Sequence, residues 1–81
     1  MSIVYAALRE TENKSNLGRS FLLHLKLVDG SSFVGAVCGT LADTKMQQAL
    51  EIVNWVNSKP TDDVIYISID HVILCYIEYI G

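Results

Sequence analysis

One stretch constrains the fold more than any other. Between Phe21 and Leu27, the residues Phe21, Leu23, Leu25 and Leu27 alternate with Leu22, His24 and Lys26. A period of two places the first set on one fully apolar sheet face and leaves His24 and Lys26 on the other, so the stretch is a strand. Asp29-Gly30 follows, a pair that tolerates the positive φ of a tight hairpin. The return strand, Ser32–Gly39, contains Gly35 and Gly39. Glycine weakens a strand unless the strand must bend or admit another backbone closely. A bent second strand is what a small, strongly curved barrel requires.

The flanking segments fill in the order. Residues 2–10 are apolar on one side and predict a short helix, and the polar run 11–18 reads as a flexible connection. Residues 44–57 fit two descriptions. Met46, Ala49, Leu50, Val53 and Val56 make a helical stripe, and Thr44 with Gln47 resembles a capping box. Leu50, Ile52 and Val56 equally fit one face of a strand. Lys59-Pro60-Thr61-Asp62-Asp63 reads as a break. Val64–Ile69 and Ile73–Ile80 read as β-branched strands, with Asp70-His71 between them as a tight or 3₁₀ turn.

Size and composition say what kind of object this is. Eighty-one residues make one domain and exclude a multi-domain enzyme. A domain this small buries only about 60% of its unfolded surface. Yet 51% of the residues are hydrophobic and the mean hydropathy is +0.32. Such an excess points to a partner, including copies of the same chain. The net charge of −3 lacks the strongly basic footprint of most nucleic-acid binders. Cys38 and Cys75 lie in apolar runs and read as reduced, buried thiols rather than a disulfide framework. The N-terminus does not read as a signal peptide, and Asp70, His71 and Glu78 interrupt the apolar C-terminal run, so a membrane span is not expected. The expectation is a cytoplasmic protein.

Taken in order, these segments resemble the Sm/LSm family, including the bacterial RNA chaperones of the Hfq type, and are similar to its divergent, phage-type members. Leu25-Lys26-Leu27-Val28-Asp29-Gly30 resembles the family's first strand and hairpin, and Phe33-Val34-Gly35-Ala36-Val37 its bent second strand. Asp43-Thr44-Lys45-Met46-Gln47 resembles its Asp-x-x-Met-Asn loop, set two residues further from the glycine. Ile69-Asp70-His71-Val72-Ile73 resembles the turn before the last strand. The resemblance covers about three-quarters of the chain, from Phe21 to Ile80, and tips 49–57 toward a third strand. It implies a mainly β, strongly bent five-stranded open barrel over residues 19–81. The short N-terminal helix and its connection would occupy 1–18. It also implies a homo-oligomeric ring, of about five to seven protomers, in which the fourth strand of one copy pairs with the fifth strand of the next.

The same resemblance implies single-stranded RNA, or DNA, bound by loops at the pore. The matching positions are Asp43, Lys45, Met46 and Gln47 from one loop and Asp70 with His71 from the other. Gln47 can read a base edge, and His71 can contact a base edge or brace its turn. Asp70 stands where a basic residue is expected, and a ring of aspartates repels phosphate. A structural or adaptor oligomer with little nucleic-acid affinity is therefore the second expectation. A small α+β dimer, with 44–57 helical, is the third. Catalysis is not expected: His71 and Cys75 lie about 13 Å apart if extended. No metal is expected either, because His24, Cys38, His71 and Cys75 contain no closely spaced ligand pair. The glycines form no phosphate loop, and no cofactor is implied.

Overall fold

The computed structural model describes residues 2–80. It is a five-stranded antiparallel sheet with a helix at its N-terminal end. The order is α1 (Ile3–Thr11), β1 (Phe21–Leu27), β2 (Ser32–Val37), α2 (Leu41–Gln47), β3 (Ala49–Val56), β4 (Lys59–Ser68), a 3₁₀ turn (Ile69–His71) and β5 (Val72–Tyr79). The strands lie in the order β4-β3-β2-β1-β5, so β4 and β5 form the two open edges.

The alternation in β1 works as its pattern demands. Leu23 and Leu25 are buried on the inner face, joined by Leu50 and Ile52 of β3 and Ile67 of β4. Cross-strand registers carry this face outward, pairing Leu25 with Cys75, Leu23 with Ile77 and Ile52 with Ile65. Helix α1 closes one side of the core with Val4 and Leu8. Its start is fixed by Ser2, whose hydroxyl accepts from the amides of Val4 (3.1 Å) and Tyr5 (3.4 Å).

The β1–β2 hairpin turns through Val28, Asp29 and Gly30. Leu27 receives the Gly30 amide and donates to the Ser31 carbonyl, both at 2.9 Å. This is a three-residue loop with glycine in the left-handed position (φ 91°). Gly35 in β2 is required by proximity. A Cβ there would sit 2.3 Å from the Val53 carbonyl oxygen of β3.

Three expectations change. The segment read as the Asp-x-x-Met-Asn-type loop is helical: Asp43, Lys45, Met46 and Gln47 all lie on α2. The capping box that starts it is Thr40 with Asp43, not Thr44 with Gln47. Gln48, left-handed at φ 57°, ends the helix and lets Ala49 begin β3. The ambiguous stretch thus divides into helix and then strand, which removes the wholly helical alternative. Finally, 59–63 is no break. Asn57 (φ 53°) and Ser58 (φ 64°) form the turn, and β4 begins at Lys59 rather than Val64. Pro60 is tolerated opposite Trp55 because β4 is an edge strand. The polar connection after α1 is closed by turns, with the Asn16 amide group donating to the Glu10 carbonyl at 3.0 Å.

Candidate functional site

The residues expected to form one site lie in different surroundings. Asp43, Met46 and Gln47 line one shallow concavity with Cys38 and Glu51. The Asp43 carboxylate is already committed, accepting from the Thr40 amide (2.9 Å) and hydroxyl (3.0 Å). These bonds hold its pKa below the usual carboxylate value, the backbone bond contributing most. Met46 is 85% exposed. Lys45 leaves this group and places its ammonium 5.6 Å from the ring centre of Tyr5 on α1.

Asp70 lines a second concavity, of about 720 Å³, between the start of α1 and the 3₁₀ turn. Gln48 reaches this cavity too, and its carbonyl accepts the Ile69 amide at 3.5 Å. The end of α2 and the 3₁₀ turn therefore do meet, but through Gln48 rather than Gln47. His71 braces the hairpin: its carbonyl accepts the Val28 amide at 2.9 Å. Asp29 titrates below the ordinary carboxylate range, chiefly through its side-chain and backbone bonds from Ser31, with the charge of His71 a minor contributor.

A third concavity was not anticipated as a site. It is a groove of about 500 Å³ across the sheet face opposite the core. His24 and Lys26 of β1 and Val34 of β2 contribute to its lining. Leu74 and Tyr76 come from β5, and Trp55 from β3. His24 stacks nearly parallel on Tyr76, with ring centres 4.4 Å apart and planes 8° apart. Its Nε2 lies 2.7 Å from the Glu78 carboxylate. Lys26 and Tyr76 are exposed, so a cation and an aromatic face are open together. Trp55 is half-buried, and its indole Nε1 is enclosed without a hydrogen-bond partner among the described residues. The available signal in the sequence was the polar alternation of His24 and Lys26. Bringing it together with Trp55 and Tyr76 needs the sheet order.

Among the described residues, no group of three or more His, Cys, Asp or Glu side chains is arranged to hold a metal. The Cys75 thiol is pushed up to about 11 by burial, and that of Cys38 is raised by burial and then by Glu51. Neither is an activated nucleophile at neutral pH. No helix among the described residues is long and apolar enough to cross a membrane. Neither a family model, nor a curated protein sequence, nor a solved structure matches the chain.

Proposed function

We propose that the chain is a non-catalytic, Sm-like protein that closes into a homo-oligomeric ring and binds single-stranded RNA or DNA. The observation that carries the reading is the pair of open edges, β4 and β5, at opposite ends of one five-stranded sheet. Val64 and Tyr66 on one edge, and Ile73, Leu74 and Tyr76 on the other, are exposed. Long apolar edges aggregate unless something pairs with them, and two edges of the same chain can satisfy each other head to tail. The strand order, the close Gly35–Val53 approach and the 3₁₀ turn between β4 and β5 support the resemblance to Sm-like barrels.

For the nucleic acid, the groove carrying Lys26, Tyr76 and His24 is the better supported surface. It combines a cation for phosphate with aromatic faces for bases. The loop set implied by resemblance offers Lys45, Met46, Gln47 and His71, but also Asp43 and Asp70, with Glu51 beside Asp43 in the same concavity.

Light scattering after size exclusion should give about five to seven protomers, the ring sizes the resemblance implies; a monomer overturns the ring. Labelled oligo-U and oligo-A should bind more tightly at low salt than at high salt. Lys26→Ala should weaken that binding more than Gln47→Ala does; the reverse returns the site to the end of α2. A second reading, a structural or adaptor ring, is favoured by the −3 charge repeated around the assembly and by Asp70. No binding even at low salt leaves that reading alone.

A further inference from the structure

We propose that Glu78 fixes which nitrogen of His24 carries the proton, and that the other nitrogen is a protonation-dependent contact for the nucleic-acid backbone. The inference rests on the groove reading above and adds how that groove is regulated. It grips single strands more tightly in weak acid.

The tautomer follows from the partners. His24 Nε2 lies 2.7 Å from the Glu78 carboxylate, and a carboxylate only accepts. Nε2 therefore holds the proton and donates it. Tyr76 stands directly opposite His24 in the β1–β5 pairing and stacks on the imidazole, with planes 8° apart. Glu78 stands opposite Leu22, two residues along on the same face. The ring is held by a bond at its edge and a contact on its face, which sets Nδ1 apart as its remaining polar atom. Nδ1 has no hydrogen-bond partner among the described residues. It is not enclosed either: the enclosed, unpartnered side-chain atoms there are the Trp55 indole nitrogen and the Tyr79 hydroxyl. The His24 side chain is 26% exposed and lines the groove.

The two charge states of His24 offer a ligand opposite things. Neutral, Nδ1 presents a lone pair, which accepts from a base N–H or a ribose hydroxyl and repels phosphate oxygens. Charged, the same atom donates, and an N⁺–H···O⁻ bond to phosphate is of the stronger kind. Histidine is the side chain that makes this change near neutral pH. The surroundings decide what the change does. The charged and titratable groups facing His24 are Lys26 on its own strand and Tyr76 and Glu78 on β5. On β2, Val34 is directly opposite, with Ser32 and Ala36 on the same face, and none of them titrates. From β3 the groove receives Asn54, Trp55 and Val56, which carry no charge. With His24 neutral, Lys26 and Glu78 cancel. With His24 charged, the groove is net positive. The imidazolium then also lies as a cation over the Tyr76 ring, which steadies the aromatic face on which a base would stack.

The test is anisotropy of rhodamine-labelled oligo-U with the full chain at about pH 8 and about pH 5.5, over a range of salt. Uracil gains no proton in that range, so a response belongs to the protein. The dissociation constant should fall about tenfold in acid. The slope of log affinity against log salt should steepen by about 0.7, the value of one more phosphate contact on a single strand. His24→Gln should bind alike at both pH values. A second measurement reads the tautomer with no ligand present. In long-range proton–nitrogen spectra, His24 is told from the other of the two histidines by its loss in His24→Gln. At about pH 8 it should show the Nε2–H form, and Glu78→Gln should admit a share of the Nδ1–H form. Equal wild-type affinity at both pH values, or a gain in acid that His24→Gln keeps, overturns the backbone contact and leaves the groove reading intact. A wild type in the Nδ1–H form, or a tautomer ratio that ignores Glu78→Gln, overturns the role of Glu78. No binding at either pH, even at low salt, overturns the nucleic-acid reading and this contact together.

Discussion

Gly35 shows how a single missing side chain sets a sheet's shape. The β2 and β3 backbones approach so closely that a methyl group would overlap the Val53 carbonyl. Alanine there must push β3 away or break the local ladder. Gly35→Ala should therefore cost about 1–3 kcal/mol, read as a lower urea midpoint with an unchanged slope. Two carboxylates act at the same scale through protonation. Asp29 is held by Ser31 and Asp43 by Thr40, and both carboxyls titrate below the ordinary aspartate value of 3.8. A depressed folded pKa means the unfolded chain takes up the proton first as pH falls. Their stabilisation is thus complete well above pH 3.8 and is lost as pH drops from there through the folded values. In acid titrations followed by circular dichroism, Asp29→Asn and Asp43→Asn should each flatten the loss of stability below about pH 4. A wild-type acid limb in both variants would remove this role.

Among the elements, the strands were the legible part. Phe21–Leu27 alternates because one of its faces is dry, and periodicity reads that directly. Helix α2 was hidden because Leu41–Gln47 is only two turns long, and its neighbours continue the apolar pattern into β3. Its capping box uses Asp at the third helical position, in place of the Glu or Gln of the usual signature. The start of β4 was hidden by Pro60, which breaks an inner strand but not an edge strand. The groove was illegible for a different reason: β1, β2, β3 and β5 each supply part of it, and no local pattern spans them. The β3–β4 turn yields an element-scale prediction. Asn57 and Ser58 are both left-handed, a conformation that costs L-residues roughly 1–2 kcal/mol and glycine far less. Ser58→Gly should raise stability by about 1 kcal/mol in thermal unfolding. A loss of stability would mean that the Ser58 side chain supports the turn by a contact of its own. Thr40→Ala should act oppositely, costing about 1 kcal/mol by removing the α2 cap.

For the whole molecule, the apolar excess in the composition has two destinations. The inner face takes Leu23, Leu25, Leu50, Ile52 and Ile67, with α1 laid over one side. Much of the remainder stands on the open edges, where Tyr66 is 64% and Tyr76 54% exposed. A chain of this size has little stability to spare, so covering those edges with a second copy should contribute a large share of the total. Coupling of folding to assembly makes the melting temperature depend on concentration, because only the folded chain can pair. The wild type should therefore melt higher as protein concentration rises from micromolar to hundreds of micromolar. Tyr66→Lys puts a solvated charge on the β4 edge without altering its inner face, which natural edges use to prevent pairing. It should give a monomer by mass whose melting temperature no longer changes with concentration. At the lowest concentrations, where the wild type is also dissociated, the two melting curves should converge. A variant that stays assembled would mean that the partner surface lies elsewhere. A monomeric variant that melts far below the dissociated wild type would show that Tyr66 supports the isolated fold instead of the seam.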